Sequence, residues 1–162
     1  YTYGKWSFMH NGSIGHWQLL RRDIESLISK DYYSYRLGTT DSEALFLLAL
    51  SYGLEKDPIG GMKKTIEKVQ VLLDLNKASE PLRLSAALSD GKSIWAFRYS
   101  SDKQSPSLFY GTPDTHKKKV KALMINTIAS EPFDDDSDHW TAVGESKLVL
   151  WKNKAVSVSP FM

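Results

Sequence analysis

Apolar positions along the chain follow two different periods. Residues 5–10 (Lys-Trp-Ser-Phe-Met-His) form a short aromatic run of strand character, and Asn11-Gly12 behind it is a strong turn signal that should stop the strand. Between residues 17 and 29 the spacing of Leu20, Ile24, Leu27 and Ile28 is helical. Tyr32, Tyr33 and Tyr35 occupy a connecting stretch that Gly38 ends. Thr40 with Glu43 three residues later is a capping box. Residues 44–50 behind it are apolar on every side, which predicts a buried helix with Gly53 as its stop. After Asp57-Pro58 and a break at Gly60-Gly61, one stripe of an amphipathic helix is marked by Met62, Ile66, Val69 and Leu73. From Leu82 the period changes to two: Leu82, Leu84, Ala86 and Leu88 face one way, and Asp90-Gly91 makes a hairpin turn into residues 93–99. Further strands are predicted at 107–110, 120–128, 147–151 and 155–159. Helices that precede a run of mostly antiparallel strands indicate an α+β fold, in one domain over residues 1–162.

Composition narrows the function classes. Lys and Arg number 21 against 19 Asp and Glu, a net charge of +2, too small to make nucleic acid or an anionic membrane the main partner. The longest apolar run, residues 44–50, is far short of a membrane span. No charged-then-apolar leader opens the sequence, so the expected location is the cytoplasm. Zero cysteines exclude disulfides, Cys-ligated metals and a cysteine nucleophile within these residues. The chain opens on Tyr1 rather than Met and enters a strand almost at once, so an N-terminal portion is expected to be missing.

Few residues invite chemistry on local grounds. Asn11 and Gly12 read first as a turn; alternatively, a side-chain amide and an adjacent backbone N–H can converge on one oxygen as an oxyanion hole. Asp41 either complements a helix dipole or grips a substrate cation such as an α-ammonium. Asp134, Asp136, Asp138 and Glu145 match positions of a calcium loop, but His139 stands where that loop needs glycine, so the run reads as a solvated loop with no metal. The four histidines, His10, His16, His116 and His139, are scattered without i,i+4 pairing, which argues against zinc. His116 with Lys117, Lys118, Lys119 and Lys121 reads as a solvated loop and strand edge ahead of a nucleic-acid patch. Ser42 and Ser130 lack a nucleophile elbow.

Several stretches, taken in order, resemble one family. Trp6-Ser7-Phe8-Met9-His10-Asn11-Gly12-Ser13-Ile14 is similar to the strand and oxyanion loop of class II glutamine amidotransferases, and Gly38-Thr39-Thr40-Asp41-Ser42-Glu43-Ala44-Leu45-Phe46 to the start of their substrate-binding helix. Ser89-Asp90-Gly91, Arg98-Tyr99-Ser100-Ser101, Ser107-Leu108-Phe109-Tyr110 and Ala129-Ser130-Glu131-Pro132-Phe133 follow in the same order. The resemblance points to the stand-alone γ-glutamyl hydrolase-like subgroup. It implies a four-layer αββα sandwich of the N-terminal-nucleophile (Ntn) hydrolase type, with mainly antiparallel sheets. It also implies hydrolysis of a γ-glutamyl amide, glutamine or a related compound, through a thioester on an N-terminal cysteine that this chain does not contain.

By that resemblance Asn11 and Gly12 are catalytic, as oxyanion donors, and Asp41 binds the substrate α-ammonium. No cofactor or metal is expected, and the partners are a small-molecule substrate and the missing N-terminal portion, where an arginine for the substrate carboxylate should also lie. The complete protein is expected to be an enzyme and these residues alone to be inactive. The alternative is a non-catalytic sandwich relative that binds a ligand or protein partner.

Overall fold

Residues 1–111, 127–153 and 155–162 are described by the computed structural model. Their chain order is β1 (Thr2–Tyr3), β2 (Trp6–Ser13), α1 (Trp17–Ser26), α2 (Lys30–Tyr33), α3 (Asp41–Ser51), α4 (Pro58–Leu75), β3 (Arg83–Ser89), β4 (Ser93–Ser100), β5 (Phe109–Gly111), β6 (Thr127–Ala129), β7 (Trp140–Ala142), β8 (Lys147–Lys152) and β9 (Ala155–Pro160). The basic run of His116, Lys117, Lys118, Lys119 and Lys121 lies outside the described residues, as does most of the strand expected at 120–128; only its end appears, in β6.

The main sheet has the order β1-β2-β3-β4-β8-β9, with every neighbouring pair antiparallel. Among the described residues the four α-helices fall between the adjacent strands β2 and β3, and they cover one face of this sheet. Strand alternation explains the division: Phe8, Leu84, Ala86, Leu88, Trp95, Phe97 and Leu148 join the helical core, whereas Ala96 and Val149 point the other way. Those two pack with Leu108, Val143, Tyr110 and Ile128, the apolar side of a second sheet ordered β6-β5-β7. The described residues therefore form one helical layer and two sheets, a mixed helix and antiparallel-sheet fold.

The sequence of α3 accounts for its place at the centre. Every residue from Glu43 to Leu50 is buried, so this helix has no wet side and must be enclosed by α1, α2, α4 and β2. Phe46 stacks on Phe8 of β2 with ring centroids 5.4 Å apart. The helix ends as its glycine predicts. Gly53 sits at φ +88°, its N–H bonds Leu50 O, and Leu54 N bonds Ala49 O, which together satisfy two otherwise orphaned carbonyls. In α4 the expected stripe of Met62, Ile66, Val69 and Leu73 is buried.

Three local expectations are corrected. Asn11-Gly12 does not end a strand: β2 continues to Ser13, with Asn11 opposite Ser85 and Gly12 opposite Leu84. The ladder to β3 supplies the pairing that a local turn signal cannot anticipate. Gly60-Gly61 is no break either. Asp57 caps Gly60 N–H at 3.0 Å and Pro58 starts α4, so both glycines lie in its first turn. Helix α1 stops at Ser26 rather than Ser29, and Tyr32 and Tyr33 belong to the one-turn helix α2.

Candidate functional site

Two elements meet at one corner of the molecule: the end of β2 and the start of α3. The backbone N–H of Ile14, just past β2, donates to Asp41 Oδ2 at 2.9 Å, and His10 Nδ1 lies 2.8 Å from Ser42 Oγ. These contacts hold the start of α3, with Asp41, against the end of the strand that carries Asn11 and Gly12, about 30 residues earlier in sequence.

Asn11 is exposed, on the sheet face away from the helices, and its amide has no hydrogen-bond partner among the described residues. It lines a cleft of about 140 Å³ between the main sheet and the second sheet, with Met9, Ser85, Leu108 and Ser130 on the walls. Gly12 has φ +146°, and a Cβ there would stand 2.1 Å from Arg83 O and 2.7 Å from His10 Nε2. Only glycine permits the close approach of β2 to β3 at this point. A larger groove, about 780 Å³, runs along α1 and α2 past Arg22, Lys30 and Tyr33; none of the three sequence-selected residues lines it.

Asp41 is the first residue of α3. Its Oδ1 accepts from Ser42 N at 2.8 Å, a contact within the helix's own first turn, while Oδ2 ties down the end of β2. Ser42 Oγ also lies 3.4 Å from Oδ1, so of the roughly four lone-pair sites of a carboxylate the one left open is on Oδ2. Among the described residues no cation pairs with it. It is a half-buried anion without a counter-charge, at the positive end of a helix.

The loop that delivers Asp41 is anchored by an ion network the sequence did not reveal. Thr40 Oγ1 accepts from Glu43 N at 3.3 Å, the expected half of the capping box. The other half is diverted: Glu43 instead accepts from Leu37 N at 3.2 Å and Gly38 N at 2.8 Å, and pairs with Arg36. Arg36 also binds Glu25 Oε1 through Nε and Nη2, at 3.0 and 2.7 Å. The Arg36 and Glu43 side chains are only 4% and 9% exposed. Burial pushes the Glu25 carboxyl up, but its bonds to Arg21 and Arg36 outweigh this and leave it below the usual range. A residue such as Arg36, two positions before a glycine, carries no local signal of that role.

His10 likewise takes its role from distant partners, Ser42 and Arg83, and carries no local signal of it. Burial lowers its imidazole pKa; the bond to Arg83 O and the charge of Asp41 oppose the shift without cancelling it. The ring is therefore neutral at physiological pH.

The candidate calcium residues do not converge. Asp134 accepts from Trp140 Nε1 at 2.9 Å and contacts His139, whereas Glu145 accepts from Ser105 N and Oγ at 2.8 and 2.7 Å. No group of three or more potential metal ligands occurs among the described residues. Likewise, no helix among them is long and apolar enough to cross a membrane.

Comparison with known proteins gives these features a family. No family model matches the chain. It is 36% identical to a glutamine aminotransferase class-II domain protein of Silicibacter pomeroyi, whose structure superposes with a TM-score of 0.87 over 97% of this chain and 67% of that one. A probable glutamine amidotransferase of Saccharomyces cerevisiae is 25% identical over the whole of this chain, which spans 54% of the yeast protein's length. The glutamine phosphoribosylpyrophosphate amidotransferase of Bacillus subtilis shares the fold, with a TM-score of 0.57 at 13% identity. The chain belongs to the glutamine amidotransferase-like family.

Proposed function

We propose that the corner formed by Asn11, Gly12 and Asp41 is the substrate-holding part of a class II, Ntn-type amidotransferase site that hydrolyses a γ-glutamyl amide. In this reading the fold is part of a four-layer αββα sandwich. The nucleophile is an N-terminal cysteine outside these 162 residues, since they contain none. Its thiolate attacks the side-chain amide carbon of glutamine or a related γ-glutamyl compound. The carbonyl π electrons move onto oxygen, and the Asn11 amide and Gly12 N–H receive that oxyanion. The amine leaves as ammonia with a proton from the chain's own α-amino group, and water then releases glutamate from the γ-glutamyl thioester. Asp41 holds the substrate α-ammonium. Without the thiol, Tyr1–Met162 alone is inactive. The partners are then the substrate and the cysteine-bearing portion of the protein, in the cytoplasm.

The observation that carries this reading is an unpartnered, cleft-facing amide on the strand whose end is hydrogen-bonded to a carboxylate without a counter-charge. The absence of cysteine favours a second reading, a non-catalytic relative that binds a ligand or partner through the same corner.

Asp41→Asn is the test of the substrate role. A sheltered carboxylate–ammonium contact is worth about 1.5–3 kcal/mol, so affinity for L-glutamine should fall about 10–100-fold. Affinity for 4-carbamoylbutanoate, which is glutamine without its α-amino group, should stay as it was. Titration calorimetry of both ligands against native and variant protein reads this directly. Equal losses for the two ligands, or none for either, would mean that Asp41 serves only the helix start.

A further inference from the structure

We infer that His10 and Ser42 form a proton-switched relay that sets how much negative charge Asp41 presents to its ligand. The inference rests on the reading of Asp41 as the ammonium site, and it concerns positioning residues, neither of which touches substrate in this account.

Hydrogen bookkeeping leads to it. His10 Nε2 lies 3.3 Å from Arg83 O. A carbonyl has no proton to give, so Nε2 must carry the ring hydrogen. In the neutral imidazole Nδ1 is then an acceptor, and the proton in its 2.8 Å contact must come from Ser42. The single Ser42 proton has two acceptors in reach, His10 Nδ1 at 2.8 Å and Asp41 Oδ1 at 3.4 Å, and with the Nε2–H tautomer the nearer one takes it. Asp41 keeps its full charge.

Protonation reverses the arrangement. Nδ1 now carries a hydrogen and donates to Ser42 Oγ, which frees the Ser42 proton to turn to Asp41 Oδ1. The carboxylate gains a donor and a nearby positive charge at once, and its pull on an ammonium weakens. Gly12 makes the device possible, because any side chain there would meet the ring at Nε2.

Among the described residues the charged groups around the ring are few. Asp41 faces it from α3. From β3 comes Arg83, whose guanidinium is occupied by both oxygens of Asp102 at 3.1 and 3.4 Å for Nε and 2.6 Å for Nη2. Arg83 is thus held by its own partner, and Asp41 is the group whose charge is tuned. The switching proton is accordingly taken up at His10, and a loss that persists without His10 belongs to Asp41 itself. Because the folded imidazole pKa is lowered, the neutral, binding-competent state holds through physiological pH and is lost only as pH falls below the ordinary imidazole range.

Two measurements on the native protein test this. A long-range ¹H–¹⁵N spectrum reports the His10 tautomer; Nε2–H is expected, and Nδ1–H overturns the relay whatever the protein binds. Calorimetry then follows affinity from pH 7.5 downward. L-Glutamine should bind about tenfold more weakly once the ring is charged, the scale expected for one partly screened unit charge nearby. 4-Carbamoylbutanoate should show no such step.

His10→Asn, which keeps a polar group facing Ser42 but cannot titrate, should abolish the step while retaining affinity at pH 7.5. Ser42→Ala keeps the imidazole and should shrink the step to its through-space part. A full step in either variant, or none in the native protein, overturns the relay. If the native protein binds no γ-glutamyl compound, the site reading falls instead, and the tautomer decides the relay by itself.

Discussion

Replacing Asn11 with alanine should lower turnover of a γ-glutamyl amide by about 10²–10³ and leave the fold standing. The loss follows from what an oxyanion donor does. The amide carbonyl of the substrate carries little charge in the ground state and close to a full charge in the tetrahedral intermediate, so a donor aimed there stabilises mainly the transition state. The effect belongs in kcat rather than KM. The fold should survive because the Asn11 side chain is exposed and supports nothing else among the described residues, while its backbone pairing with Ser85 is untouched by alanine. Steady-state kinetics beside a thermal melt separates the two. A variant with near-native kcat, or one whose loss is explained by unfolding, would remove Asn11 from the mechanism.

Arg36→Ala should cost about 3–5 kcal/mol of stability, the usual penalty for breaking a buried ion pair by removing one partner. Arg36 is the hub between Glu25 on α1 and Glu43 on α3, and its guanidinium lies over the Trp17 ring at 5.8 Å. Its removal leaves the Glu43 carboxylate buried with only the N–H groups of Leu37 and Gly38. The pH dependence carries a sign. Glu25 is held below its unfolded value, so its contribution is present above the ordinary carboxylate range and is lost as pH falls through the lowered pKa. Arg36→Ala should therefore flatten the acid limb of stability against pH. Denaturant midpoints at neutral and acid pH measure both effects. Because residues 36–40 lead into Asp41, the same variant should weaken glutamine binding more than it slows turnover. A loss below about 1 kcal/mol would mark the network as surface-like.

Elements that follow local rules were readable from the chain. The apolar girth of α3, the stripe of α4, the Asp90-Gly91 turn and the two-residue period of β3 all arise from neighbours in sequence. Gly91 has φ +83°, and Asp90 Oδ1 holds Lys92 N and Ser93 N, as such a turn demands. What escaped depends on partners far away. Strand β2 runs through an Asn-Gly pair because β3, more than 70 residues on, completes its ladder. The short strands β1 and β7 lack a pattern long enough to see. At the site, Asn11, Gly12 and Asp41 were singled out by resemblance, since each is ambiguous locally. Their meeting depends on the contacts of Ile14 with Asp41 and of His10 with Ser42, which no spacing rule predicts. Arg36 and His10 were missed for the same reason: their chemistry lies in whom they touch.

The most direct measurement is a mass spectrum of the native protein quenched in acid during turnover of L-glutamine. A γ-glutamyl thioester mechanism predicts one γ-glutamyl group on a single cysteine outside Tyr1–Met162, appearing together with one ammonia and disappearing as glutamate is released. Release of glutamate and ammonia with no such adduct, or with an acyl group carried by a residue within Tyr1–Met162, would contradict it.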